Sequence, residues 1–330
     1  MIDREIFFLF VLCFFCFSCT GRKVFCEVNP ELNVKRFDID LYQYLNKQST
    51  EESLSASYKT FLDIYGEQVI GIGRPDSIGF YERLNTFFSE PVLMSLYKDE
   101  QFRFKDLSFI DNELNPALVT LLTEFSTLKQ PSVYVHVSGL NQNVVVTDDI
   151  LSLSLDKYLG TDYPFYQDYF YDYQLQNMTS GRIVPDYLLG FMMANFPFGG
   201  NSEVLLERML YEGKLRYILS RLLPDRNPWE YTAYTKEQYD WCRTNEFRIW
   251  KRILENDHLY TSNYKTTSQY MNEAPYTATI SPESPGRVGA WVGFQIVGSY
   301  MKKHPETSLS NLVDIKDARQ LLKESGYKPQ

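Results

Sequence analysis

The sequence is poor in the residues that build metal sites and basic surfaces. It has 3 His and 5 Cys, and its 33 Lys and Arg against 42 Asp and Glu give a net charge of −9. A nucleic-acid partner is not expected, because a phosphate backbone is bound through basic side chains. His136, His258 and His304 are far apart, and none has the i, i+4 partner of a zinc-binding helix. We therefore predict no metal and no cofactor, with one rival hypothesis, that His136 joins distant carboxylates at a metal site.

Familiar catalytic motifs are missing as well. The chain has no His-Glu-x-x-His, no Gly-x-Ser-x-Gly, no Walker A loop and no dinucleotide fingerprint. Gly71-Ile72-Gly73 lacks the third glycine of that fingerprint. These absences weigh against the common hydrolases and nucleotide enzymes, and no catalytic residue is assigned.

One apolar run is present, at the amino terminus. Ile6 to Phe17 is twelve residues long, which is too short for the roughly 20 residues of a spanning helix and typical of a signal peptide. It ends in Ser18-Cys19, which resembles a bacterial lipobox. We predict a lipoprotein signal peptide over residues 1–18, lipid attachment at Cys19 and a tether over residues 19–31. A plain secretory signal or an uncleaved anchor are the alternatives.

Two further cysteines remain in the mature chain. Cys26 and Cys242 can pair in an oxidising compartment. The simpler interpretation, which we favour, places Cys242 in a buried helix face and Cys26 in the tether.

The pattern of residues 32–330 predicts one α+β domain that is mostly helical. Val34 to Leu41 is either an early strand or the lead into a helix, and residues 53–115 read as mainly helical. Alternation in Ser132–Val137 and Ile150–Leu155, around the valines at 144–146, predicts a small sheet of two to four strands. Caps and prolines then predict further helices, over residues 115–128, 185–195, 202–223, 236–256, 285–303 and 311–324.

Charged residues interrupt the apolar faces of three of these helices. Glu246 falls in the apolar face of the 236–256 helix, and Glu212 shares a face with Arg216, four residues on. Arg287 is predicted in a first helical turn, which the helix dipole disfavours unless an acid faces it. Gly213 lies in mid-helix, where glycine suggests close approach of another backbone.

These residues predict a polar cleft formed by Glu212, Arg216, Glu246 and Arg287. A buried carboxylate needs a partner or a raised pKa. The alternative is a purely structural salt bridge that fixes helix packing, since such pairs also perturb pKa values.

Several distinctive motifs follow one another over nearly all of the mature chain, and the most specific is Ser284-Pro285-Gly286-Arg287-Val288-Gly289. The others are Val34–Asp38, Asp156–Gly160, Met209–Lys214, Asn245-Glu246 with Ile249-Trp250, Leu259-Tyr260, Trp291, Gly293, Gln295–Val297, Ser299–Met301 and Tyr327–Pro329. In this order the motifs resemble the gliding motility-associated lipoprotein family GldB.

The resemblance implies a bacterial cell-envelope lipoprotein that is tied to gliding and its secretion machinery. The order of elements is also similar to zincin-type metallopeptidases, although the helix from Pro185 to Asn195 has no His and only Asp186 as a carboxylate. A metal-free peptidase scaffold could still hold an extended peptide along an edge strand, Ile150 to Leu155.

These features lead to two hypotheses for the function. The first is a non-catalytic binding or scaffold lipoprotein, anchored in the periplasm or at the outer membrane, whose partner is an envelope protein, a peptide or a glycan. The second is a metal-independent hydrolase that uses Glu212 or Glu246 as acid or base. The enzyme hypothesis requires that Glu212 or Glu246 is reachable and is not neutralised by an arginine. The scaffold hypothesis predicts that both carboxylates are buried and paired.

Overall fold

A computed structural model describes residues 33–141 and 143–329 of the chain. The predicted signal peptide, the predicted lipid attachment at Cys19, the tether and Cys26 lie outside these residues. Within them, no helix has both the length and the apolar character that crossing a bilayer requires.

The sheet is small and mixed, with four strands, as the α+β prediction requires. The strands are Lys35–Arg36 (β1), Ser132–His136 (β2), Val144–Val146 (β3) and Ile150–Ser154 (β4). Their order is β1-β2-β4-β3; β1, β2 and β4 are parallel and β3 is antiparallel to β4.

The prediction that Ile150 to Leu155 is an edge strand is wrong. β4 pairs with β2 on one side and with β3 on the other, so its backbone groups are used within the sheet. After β2 the chain first forms β3, which is the outer strand of the sheet. It then turns back and forms β4 between β3 and β2. A peptide cannot add to an interior strand.

Helices make up most of the remaining chain. In order they are Phe37–Leu45 (α1), Glu51–Ile64 (α2), Phe80–Phe87 (α3), Pro91–Arg103 (α4), Ser108–Glu124 (α5), Pro164–Gln167 (α6), Asp172–Leu175 (α7), Ile183–Asn195 (α8), Leu205–Leu222 (α9), Pro228–Tyr231 (α10), Lys236–Thr244 (α11), Glu246–Glu255 (α12), Tyr264–Met271 (α13), Val288–Lys303 (α14), Leu309–Asp314 (α15) and Ala318–Ser325 (α16). Val34 to Leu41 is thus both a short strand and a helix start.

Both faces of the sheet are covered. Val133 and Leu151 pack with α5 and α8, whereas Tyr134 belongs to a second apolar cluster with residues of α1 and α2. Successive strand residues point to opposite faces of the sheet. Because both faces are covered, the polar strand residues are buried as well, including His136 and Ser152. The Nδ1 atom of His136 lies 2.7 Å from the Ser152 hydroxyl, so this histidine is a packing residue of the core.

The carboxyl-terminal half packs around the crossing of α9 and α14. A Cβ atom on Gly213 would overlap the backbone carbonyl of Gly293, and a Cβ on Gly293 would overlap the carbonyl of Met209. The two helices approach this closely only because both positions are glycine. The prediction of a close backbone approach at Gly213 is confirmed.

Four predicted helices have clearly different bounds, and one of them is the 115–128 helix, since α5 begins at Ser108 and ends at Glu124. The 236–256 helix is broken at Asn245 into α11 and α12, and the 311–324 helix is broken into α15 and α16. The 285–303 helix begins only at Val288, because Arg287 has a left-handed backbone (φ 60°, ψ 26°) that cannot continue a helix. Cys242 is a fully buried thiol in α11, as the simpler interpretation predicted.

Candidate functional site

A cleft of about 500 Å³ lies where β3, α8 and α9 meet the residues before α14. Charged, amide and apolar side chains line it together. They are Asn143, Val144, Lys157, Tyr158, Phe170, Gln174, Asn177, Met178, Arg182, Asp186, Leu189, Gly190, Met193, Arg216, Ala233, Glu273 and Arg287.

The wall formed by β3 and α8 depends on one glycine. A Cβ atom on Gly190 would lie 2.6 Å from Cγ1 of Val144, closer than real side chains pack. Glycine therefore brings α8 against the outer strand of the sheet. Asp186, one turn before Gly190, also lines the cleft.

Glu212 and Arg216 form the predicted pair within α9. Nη1 of Arg216 donates a short hydrogen bond to Oε2 of Glu212. The Glu212 side chain is 12% exposed and that of Arg216 only 2%. Arg287 adds a longer contact, with its Nη2 atom 3.8 Å from the same Glu212 oxygen. The structure thus brings Glu212, Arg216 and Arg287 together.

The arginines keep Glu212 charged although it is largely buried. Burial disfavours the carboxylate and by itself would raise the pKa of Glu212. The attraction of Arg216 and Arg287 outweighs burial, so the pKa of Glu212 is lowered from its ordinary value of 4.5. Arg208, on the preceding turn, contributes a weaker contact at 3.9 Å. Glu212 is therefore a poor proton donor near neutral pH.

Arg287 reaches Glu212 from a position that differs from the prediction. It is the residue before α14 and has left-handed backbone, which costs a residue with a side chain on the order of 1 kcal/mol. The preceding loop is fixed by two hydrogen bonds: the Tyr234 hydroxyl donates to the Gly286 carbonyl at 2.7 Å, and the Thr277 hydroxyl donates to the Pro285 carbonyl at 2.8 Å. The Nη1 atom of Arg287 lies 3.3 Å from Oε1 of Glu273, a residue whose side chain is about half exposed.

Glu246 lies apart from this group. Its carboxylate accepts a hydrogen bond of 2.8 Å from the Tyr327 hydroxyl, and no salt bridge joins it to an arginine within the described residues. The break at Asn245 explains the difference. Glu246 opens α12, where an acid suits the helix dipole, instead of occupying the middle of a continuous apolar face.

The cleft lining also contains charged residues that the sequence did not assign to it. Arg182 is 8% exposed and lies 2.5 Å from Asp186, which also accepts from the Tyr158 hydroxyl at 2.8 Å. Lys157 follows β4, and burial lowers its pKa. Arg182 and Asp186 are four residues apart at a helix start, so their pairing was predictable from the sequence, whereas their position in the same cleft as Arg216 was not.

Across residues 33–141 and 143–329, no group of three or more His, Cys, Asp or Glu side chains could hold a metal ion. The hypothesis of a metal at His136 thus has no ligand cluster within these residues.

The comparisons with known proteins identify the family. The family model described as "Gliding motility protein GldB", a lipoprotein family, matches residues 21–329. No match was found among curated proteins or among solved structures. Since the match extends over nearly the whole chain and includes every residue of the cleft, this chain belongs to the gliding motility protein GldB family.

Proposed function

We propose that this chain is a non-catalytic, lipid-anchored binding protein of the envelope apparatus associated with gliding, and that the cleft holds part of its partner. The observation that carries the proposal is the state of Glu212. It is paired with Arg216 and Arg287 and its pKa is lowered, so it remains a charged acceptor. Such a group holds neighbouring side chains in place and is not poised to exchange protons.

The family supports the anchor. We propose that cleavage after Ser18 exposes Cys19 for lipidation and that the body is held at the envelope side of a membrane. Cys19→Ala is expected to move the protein from the membrane fraction to the soluble fraction. Continued membrane association of this variant would indicate an uncleaved helix instead.

The cleft is suited to a partner because its lining combines an exposed apolar side chain with a buried, paired charge. Met193 lines the cleft and is 47% exposed, while Arg216 is almost completely buried and is paired with Glu212. An exposed apolar side chain next to fixed charges offers both contact area and orientation to a ligand.

Site-specific photocrosslinking in cells tests this use of the cleft. A photoreactive amino acid replaces Met193 in the full-length lipoprotein. The control replaces Ile78, which is 99% exposed and is not a lining residue of the cleft. A partner captured from position 193 and not from position 78 is the expected result. Equal capture, or none from position 193, would contradict the proposal.

The rival hypothesis, a metal-independent hydrolase, requires a carboxylate free to act as acid or base. Glu212 is engaged by two arginines, and Glu246 accepts from Tyr327 outside the cleft. Hydrolysis of a peptide or glycan that Glu212→Gln or Glu246→Gln abolishes, without loss of folding, would favour the rival. The zincin-like character of the scaffold remains a hypothesis alongside both.

A further inference from the structure

Two buried arginines line the cleft with unused hydrogen-bonding capacity. Arg216 is 2% exposed and Arg182 is 8% exposed. Nη1 of Arg216 is engaged by Glu212, and the terminal nitrogens of Arg182 by the Glu230 carbonyl and Asp186. For both residues, the buried Nε has no acceptor within the described part of the chain.

Unused donors on a buried cation are costly. Each guanidinium has five N–H groups and no way to lose its charge. Burying such a cation is compensated only when acceptors, preferably anionic, surround it. Arg287 adds to the imbalance, because its charge repels that of Arg216. Glu212 contacts both arginines, and Glu273 adds a contact of 3.3 Å to Arg287 only.

The lining of the cleft has a surplus of positive charge. It contains four cations, Lys157, Arg182, Arg216 and Arg287, and two carboxylates, Asp186 and Glu273. If Glu212 is included, cations still outnumber carboxylates by four to three. This surplus occurs in a chain whose net charge is −9. The cleft is therefore a local site for an anionic group.

The other lining residues indicate what carries that anion. Leu189, Met193 and Met178 offer apolar surface, and Asn143 and Asn177 offer amides that can donate and accept. A peptide carboxylate matches the cationic, amide and apolar parts of the lining, because the peptide carries a negative charge, backbone amides and an apolar side chain. A bare inorganic anion leaves the apolar surface and the amide acceptors unused.

We propose that the cleft binds the carboxylate of an extended peptide segment, with Arg216 and Arg287 as its principal partners and an apolar side chain of the peptide against Met193 and Leu189. Guanidinium groups favour this ligand because they bind carboxylates through paired, parallel hydrogen bonds. The inference rests on the proposed function and deepens it, by naming the chemistry of the partner.

Calorimetric titration of the full-length lipoprotein in detergent micelles tests the proposal. The probe is acetyl-Ala-Ala-Leu with a free carboxylate, compared with the same peptide as its carboxyl-terminal amide and with inorganic phosphate. The amide is expected to bind at least about tenfold more weakly, because a hydrogen bond to a charged group is lost. Phosphate is expected to bind more weakly than the free acid.

Arg287→Gln supplies the matching change in the protein. It is expected to weaken binding of the free acid by about tenfold, while Glu212 keeps its bond to Arg216 and the fold is retained. Arg221→Gln is the control, since Arg221 is an exposed residue of the same helix as Arg216. It is expected to leave binding unchanged. A cooperative thermal transition above the titration temperature in both variants verifies that the comparison concerns binding.

Three results would overturn the inference. They are no saturable binding of the free acid up to about 1 mM, equal binding of acid and amide, or phosphate binding as tight as that of the acid. Each is separable from failure of the proposed function. If position 193 captures a partner in cells while the acid peptide does not bind, the binding role stands and the ligand chemistry is wrong.

Discussion

Replacing Arg216 by Met tests the pairing inside α9. Met is similar in length to the arginine stem but removes the charge, so Glu212 loses its only hydrogen-bonded cation and keeps contacts of 3.8 Å to Arg287 and 3.9 Å to Arg208. Breaking a buried ion pair by removing one partner typically costs 3–5 kcal/mol. Because the Glu212 side chain retains 12% exposure and these two distant cations, we expect about 3 kcal/mol, at the lower end of that range.

Arg287→Ala is expected to cost less, about 1 kcal/mol. The Arg287 side chain is 24% exposed, and its contact with Glu212 is longer than a hydrogen bond. Its loss leaves Glu212 paired with Arg216. The cost is smaller than that of Arg216→Met because Arg216, and not Arg287, is hydrogen-bonded to Glu212.

The pH dependence gives a second check on Arg216→Met. The pKa of Glu212 is lowered in the folded protein, so the stabilisation it provides is present above its ordinary value of 4.5 and is lost as pH falls through the folded value. In the variant, Arg216 no longer offsets the effect of burial, so the pKa of Glu212 is higher than in the wild type. The difference in stability between wild type and variant should therefore narrow as pH falls below about 4.5.

Urea unfolding at a series of pH values measures both effects. Arg221→Met, an exposed change on the same helix, serves as control and should stay within about 0.5 kcal/mol of wild type. A cost for Arg216→Met of less than about 1 kcal/mol at pH 7, or a cost that does not vary with pH, would refute the reasoning.

Three further substitutions probe other parts of the fold. Gly293→Ala is expected to destabilise the protein by at least about 2 kcal/mol, because the new Cβ overlaps the Met209 carbonyl. Gly298→Ala in the same helix is the control, since its Cβ meets nothing within 4 Å and the change should be neutral or slightly stabilising. Thermal unfolding compares the two variants, and equal effects would contradict the close crossing of α9 and α14. Glu100→Gln is expected to stabilise the protein relative to wild type at pH 8, because burial raises the pKa of Glu100 and its charged form opposes folding as pH rises above the ordinary 4.5; a stability difference that is the same at pH 4 and pH 8 would contradict this. Tyr327→Phe removes the hydrogen bond to Glu246 and should cost about 1 kcal/mol in urea unfolding; no change would show that this contact does not stabilise the chain end.

The sequence predicted the local features of the fold well. Helix periodicity, proline positions and strand alternation identified the α+β class and the Glu212–Arg216 pair, because each depends on residues within a few turns. The close approach at Gly213 was predicted from the cost of glycine in mid-helix, although its partner, Gly293, is distant in sequence. The meeting of Arg287 with Glu212 was also predicted, although through a helix-dipole argument that does not apply to a left-handed residue before the helix.

Features that depend on distant parts of the chain were not readable. An apolar period that continues across Asn245 hides the break between α11 and α12, and with it the true position of Glu246. The interior position of β4 depends on how β2, β3 and β4 are arranged in the sheet, which alternation does not encode. Arg182 and Arg216 line the same cleft although they belong to different elements, which no local pattern encodes.

The charge state of Glu212 tests the account most directly, since the paired cleft and the non-catalytic role both depend on it. The measurement is a pH titration of the protein labelled with ¹³C at glutamate carboxyl groups, in which the Glu212 signal is identified by its loss in Glu212→Gln. The account predicts a pKa below the ordinary value of 4.5 for this carboxyl. A pKa clearly above that value would mean that the arginines do not neutralise Glu212, and would leave it available as a proton donor.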